Sequence, residues 1–203
     1  MVRALLDGRK TQTRRVIKPQ PAPDFIGATV NVDGLTSQPA SLFGSDTHKA
    51  LCRLLRPGDR LYVREAWHAA RSLDNTPPRD IPRDADIEHA ATARSYAEIG
   101  LKGKLRPGMF LPRWASRITL IVTDVRVQRL QEISEADAIA EGMPSDNWSD
   151  RAEFSGYFSP VEAFMALWDS LNAARGYGWN ANPWVVAVTF AVERRNIDEG
   201  GIP

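Results

Sequence analysis

The chain has 203 residues, 43% of them hydrophobic and 25% charged, with a formal net charge of +1. That composition describes a globular protein with apolar surface enough for a core, and it excludes both a disordered chain and a uniformly basic coat for nucleic acid. No run approaches the roughly 20 apolar residues that span a bilayer, and the short, charged N-terminus is unlike a signal peptide, so a cytoplasmic protein with no membrane partner is expected.

In chain order, Val2 to Gly8 reads as a short helix with Leu5 and Leu6 inward, stopped by Gly8 where a left-handed cap is common. Lys10 to Thr13 then lie at a turn, and Thr13 to Ile17 begin a strand that Pro19, Pro21 and Pro23 end. The polar stretch from there to about Lys49 has no clear period. Arg56-Pro57-Gly58-Asp59 is a turn signature, and the alternation from Arg60 to Trp67 predicts a strand with Leu61, Val63, Glu65 and Trp67 on one face. Residues 69–107, rich in Pro, Asp, Arg and Ala, suggest a second excursion from the core. Ser116 to Leu130 is strongly β-branched with apolar residues on both faces, as expected of a long bent strand in a barrel.

A helix follows, with Ser134 as its N-cap, Asp137 three residues on, and Ala136, Ile139 and Ala140 giving an apolar side until Gly142. A third irregular stretch runs from Pro144 to Ser159. Pro160 to Asn172 is an amphipathic helix by the spacing of Val161, Phe164, Met165, Leu167, Trp168 and Leu171. The final strand starts at Trp184, with Val186, Val188, Phe190 and Val192 on one side and Val185, Ala187, Thr189 and Ala191 on the other. The sum is an α+β protein built on a small, mostly antiparallel barrel flanked by helices.

Three places carry chemistry. Gly8-Arg9-Lys10-Thr11-Gln12-Thr13-Arg14-Arg15 gathers four cations and two threonine hydroxyls on one tight loop, where they can hold a phosphate, a base or a developing oxyanion. A charge run is ordinarily a solvated face, and the setting beside Gly8 at a helix end is what argues otherwise. Glu65 falls on an inward strand face, so it needs a cation, for which Lys10 or Arg15 is the candidate; a structural ion pair is the plainer alternative. Glu141 occupies the last turn of a helix, where the macrodipole disfavours an anion by roughly 0.3 to 1 kcal/mol. Trp114, between Arg113 and Arg117, and Trp67, at a strand end, are candidates to stack a base; Trp168 and Trp184 read as core. Cys52 stands alone and His48, His68 and His89 are scattered, so neither a disulfide nor a metal site is expected, and no cofactor is implied.

Gly8-x-Lys10-x-x-Thr13-x-Arg15 resembles the signature of the ASCH domain, a PUA-like barrel whose members are linked to RNA and modified nucleosides. The usual pattern has glutamate where Thr13 stands. The bacterial N(4)-acetylcytidine amidohydrolases of that family also have threonine there, in a Gly-Arg-Lys-Thr-x-Thr-x-Arg pattern that Gly8 to Arg15 matches. The resemblance implies that Lys10 and Thr13 are catalytic. It also implies a catalytic Glu141, because Glu141-Gly142-Met143 stands where those enzymes have Glu-Asn-Met. Residues 58–67, 112–117 and 182–184 look like the longer ASCH proteins of bacteriophages and prophages, which implies one ASCH-like domain over 1–203 with insertions at 19–50, 69–107 and 144–159.

The expected activity is removal of an acyl group from the exocyclic amine of a modified pyrimidine nucleoside such as N(4)-acetylcytidine. Lys10 would be base, Thr13 the nucleophile or the residue that positions a water, and Glu141 the proton shuttle, with Arg9, Arg15, Glu65, Trp67, Arg113 and Trp114 around the substrate. The alternative is a non-catalytic RNA- or DNA-binding module in which Lys10, Arg14, Arg15 and Arg113 grip phosphates and Trp114 stacks a base. The sequence is silent on oligomeric state.

Overall fold

The computed structural model describes residues 2–21, 28–31, 34–36, 55–92, 102–145, 156 and 159–199. Beyond the first two residues it divides into a unit of Arg3–Asp59 with Val122–Ala191 and a unit of Arg60–Ile121 with Val192–Pro203. Among the described residues no helix is long and apolar enough to cross a membrane.

The first unit opens with helix α1 (Val2–Leu6), whose Ala4 and Leu5 are buried. Gly8 turns the chain at φ +71°, and the amides of Arg9 and Lys10 both donate to the Ala4 carbonyl. Strand β1 (Gln12–Val16) follows and pairs antiparallel with the final strand β8 (Trp184–Glu193), Thr13 opposite Val188. Strand β7 (Thr119–Arg129) lies next to β8 in the sheet. Its residues 125–127 pair antiparallel with β2 (Ala28–Asn31), which pairs in turn with β3 (Gly34–Thr36). This hairpin falls inside the stretch that shows no period in the sequence. The architecture is α+β with an antiparallel sheet, compatible with a small barrel-like fold.

Two helices complete this unit. Helix α2 (Glu135–Ala140) starts at Ser134, whose hydroxyl accepts from the Asp137 amide at 3.1 Å while the Asp137 carboxylate accepts from the Ser134 amide. Helix α3 (Pro160–Asn172) has Pro160 in its first turn, and the Ser159 hydroxyl accepts from the Glu162 amide. Ala138, Ala163, Phe164 and Trp168 pack with Leu130, Ile133, Met143 and Val185 into one apolar cluster. The buried stripe of α3 is narrower than its spacing predicts, because Leu167 and Leu171 project to the surface.

The second unit has little regular structure. Strand β4 (Arg60–Tyr62) pairs antiparallel with Thr119–Ile121, and β5 (Trp67–His68) pairs with β6 (Glu88–His89). The single strand expected over 60–67 is therefore interrupted at 63–66. The chain packs closely at the break, where a Cβ on Gly108 would stand 2.6 Å from the Arg64 carbonyl oxygen and 2.9 Å from the Glu65 carbonyl carbon. Burial still alternates through the break, with Val63, Glu65 and Trp67 inside. Trp67, Ala69, Ile81, Leu111 and Ala115 form a second core, so much of 69–107 packs a cluster of its own. Arg106 ties it together by donating to the carbonyls of Leu73 and Thr76 at 2.6 and 3.1 Å, with its guanidinium 5.2 Å from the Trp67 ring centre.

Candidate active site

In β1 the side chains of Gln12 and Arg14 go inward while Thr13 is half-buried and Arg15 exposed, the alternation a strand imposes. Lys10 continues the inward series. In α2, Asp137 and Glu141 are four residues apart and so share a helix face. These two rows of polar groups meet.

Lys10 is only 5% exposed and Glu141 8%. The Lys10 ammonium donates to the Glu141 carboxylate (Oε2) at 2.6 Å and to the Glu141 carbonyl at 2.8 Å. One cation thus neutralises the carboxylate and caps the carbonyl end of α2, which removes the dipole penalty expected for Glu141 at that position. The backbone holds the same junction, because the Thr11 amide donates to the Ala140 carbonyl at 2.8 Å. Gly142 turns at φ +100°, and a Cβ there would touch Ala4 and Lys10 at 3.4 Å.

Arg14 approaches the other carboxylate oxygen, with Nη1 3.3 Å from Glu141 Oε1 and Nη2 3.0 Å from Asp137 Oδ2. The second contact is an ion pair off the hydrogen-bonding axis, since Nη2 makes no hydrogen bond among the described residues. Gln12 accepts from Arg14 Nη1 and donates to Asp137 at 3.0 Å and Thr189 at 3.2 Å. Arg126 donates to Asp137 at 2.9 Å. Glu141 is thereby held between a lysine and an arginine, and the arginine is braced in turn by Gln12 and Asp137.

Burial pushes the Lys10 ammonium below the ordinary lysine value; Glu141 opposes the shift, and the charges of Arg15 and Arg14 add to it. Asp137 goes the other way. Burial alone would raise its carboxyl, but hydrogen bonds from Arg126 and Gln12 and the charges of Arg14 and Arg126 bring it down to about 2.

The remaining expected site residues fall elsewhere. Thr13 lies on the strand face opposite Gln12 and Arg14 and is not part of the Lys10–Glu141 network. Arg9 is partly exposed, pairs with Asp7 at 3.0 Å and donates to the Gly142 carbonyl at 3.4 Å. In the second unit, Glu65 draws its cation from Arg117 rather than from Lys10 or Arg15: the guanidinium donates to both carboxylate oxygens, at 2.9 and 2.8 Å. Trp67 is 0% exposed and packs the core, so its ring has no face open to a base. Trp114 is half-buried against the same core, and Arg113 is held in a two-pronged pair by Asp198. Asp137, Gln12 and Arg126 escape a motif-based reading. The i, i+2 series from Lys10 and the i, i+4 step from Asp137 to Glu141 were the signals that could have found the first two.

Among the described residues no three or more His, Cys, Asp or Glu side chains are grouped to hold a metal ion. Compared with family models, with curated proteins and with solved structures, the chain gives no match to any.

Proposed function

We propose that the Lys10–Glu141 cluster is the reaction centre of an amidohydrolase that removes an acyl group from the exocyclic amine of a modified pyrimidine nucleoside such as N(4)-acetylcytidine, on an ASCH-type, PUA-like barrel. The supporting observation is the meeting of Lys10 with Glu141, 131 residues apart in sequence, in a 2.6 Å contact within a buried charged cluster. Stability alone is a poor reason for such a cluster, because replacing buried ion pairs by apolar residues is often neutral or stabilising. The antiparallel pairing of β1 with β8, and the place of β8 beside β7, support the barrel.

In this reading water is the nucleophile. Lys10, poised by burial to give up its proton more readily than an ordinary lysine, takes a proton from water as the oxygen adds to the acyl carbon. Glu141 receives that proton from Lys10 across their 2.6 Å contact and passes it to the exocyclic nitrogen as the carbon–nitrogen bond breaks, releasing the free amine and a carboxylic acid. Arg14, tied to Gln12 and Asp137, fixes the carboxylate for that transfer.

The test is incubation of the purified chain with N(4)-acetylcytidine. Cytidine should appear at a rate that climbs with pH through a value below 10.5, the unperturbed lysine figure. A wild-type chain inactive on acylated cytidines and deoxycytidines across that range overturns the proposal.

A further inference from the structure

The second unit contains two adjoining clefts remote from Lys10 in sequence. The larger, about 500 Å³, is lined among others by Tyr62, Arg64, Pro78, Arg79, Met109 and Phe110. The smaller, about 240 Å³, includes Lys104 and Arg106 and shares Pro78 and Phe110 with the first. Sites for small molecules typically enclose roughly 300 to 1,000 Å³, so the joined clefts suit an extended occupant.

Their chemistry is two-sided. Phe110 is 50% and Met109 68% exposed, an apolar outlay that a lone folded unit has no reason to keep. The Tyr62 ring is flanked by two guanidinium groups, those of Arg64 at 5.2 Å and Arg113 at 5.7 Å from its centre. The charged residues that line both clefts are all cationic. Among the described residues Arg64, Lys104 and Arg106 have no carboxylate within ion-pair distance, and Arg79 has only its exposed neighbour Asp80 at 3.6 Å, a contact worth little in water. Arg106 is 95% buried, and its Nε has no hydrogen-bond partner among the described residues. Backbone carbonyls and the Trp67 ring face its guanidinium, but among the described residues no carboxylate neutralises it, so the cleft wall keeps a net positive charge.

The charge of the whole chain hides this. In sequence the second unit's ranges hold 13 Lys and Arg against 10 Asp and Glu, a formal +3; the first unit's hold 13 against 15, a formal −2.

We propose that this cleft pair binds single-stranded nucleic acid, with bases against Phe110 and Tyr62 and phosphates at Arg64, Arg79 and Lys104. An unpaired strand offers flat apolar faces and a repeating anion together, whereas a duplex stacks its bases out of reach. An acidic peptide would satisfy the cations and leave the rings unused. A proline-rich peptide would do the reverse. The site shares no residue with the Lys10–Glu141 cluster and does not depend on its chemistry.

Binding of the full chain to labelled oligo(dT) and oligo(U) of about 12 nucleotides, followed by fluorescence anisotropy against salt, tests this. Either strand, DNA or RNA, should bind more tightly than a duplex of equal length. Phe110→Ala should weaken binding about fivefold or more, the low end of base–aromatic stacking. Arg79→Glu should weaken it and flatten the log–log salt slope by about 0.7, one phosphate contact on a single strand. Both residues are exposed, so the variants should unfold at the wild-type temperature, and Lys10→Met should bind as wild type does. Absence of single-strand binding, a preference for the duplex or for poly-glutamate or a proline-rich peptide, or unaltered affinity in both cleft variants overturns the proposal.

Discussion

Lys10–Glu141 in the first unit and Arg117–Glu65 in the second are the same kind of object on paper, a buried carboxylate with a cation at 2.6 to 2.9 Å. They differ in what the cation can do. Arg117 presents a fork that engages both oxygens of Glu65, and a guanidinium stays protonated under all ordinary conditions. Lys10 presents one point charge to one oxygen, in surroundings that lower its proton affinity. The Arg117–Glu65 pair is a clamp and the Lys10–Glu141 pair a place where a proton can move. A buried acid is therefore a poor marker of chemistry until its partner is known.

The largest expected effects separate the pairs outright. Lys10→Met should cost about 10²- to 10⁴-fold in kcat/KM, the usual worth of a general base, with a smaller loss of stability than Arg117→Ala because Arg14 still faces Glu141 at 3.3 Å. Arg117→Ala should do the opposite. It leaves Glu65 unpaired at 1% exposure, a loss of about 3 kcal/mol or more, which lowers the midpoint by roughly 6 °C or more and leaves turnover of the folded fraction unchanged. If Arg117→Ala abolishes turnover in folded protein, or Lys10→Met unfolds the chain, the contrast fails.

A smaller effect should appear in acid. The Asp137 carboxyl is held at about 2 against an ordinary 3.8, so its contribution to stability is complete above the ordinary value and is lost as pH falls through the lower one. Asp137→Asn should unfold at a lower temperature than wild type at neutral pH, and thermal melts of the two should converge as pH falls from about 4 towards 2. Parallel curves over that window would remove Asp137 from the brace around Arg14. Smallest of all is Thr13→Ala. With water as nucleophile it should lower kcat by less than about tenfold, roughly 1.4 kcal/mol of barrier, and a loss as large as that of Lys10→Met would make Thr13 the nucleophile instead.

Local patterns were legible where each residue's role depends on near neighbours. Ser134 with Asp137, Pro160 at the start of its helix, and Gly8 after α1 mark helix ends that the structure keeps. The β-branched run before Leu130 and the alternation from Trp184 become β7 and β8. Lys10 and Glu141 were both visible as candidates, the lysine by its motif and the glutamate by its unfavourable place on a helix. The hairpin of β2 and β3 was not visible, because strands of four and three residues are too short to show a period of two against a polar background.

Local order along the chain thus sets the individual elements and the residue types able to carry out acid–base chemistry. Tertiary structure alone decided the partners. Glu65 goes to Arg117, Lys10 goes to Glu141, and Arg14 is drawn inward to Asp137 and Glu141 although its neighbour Arg15 stays in solvent. The physical reason is that strand alternation and helix periodicity set the direction in which a side chain leaves the backbone, but not what waits there. Partner choice depends on contacts between segments 52 to 131 residues apart, where the burial that shifts Lys10 and the cations that hold Asp137 ionised exist only once the chain has closed around them.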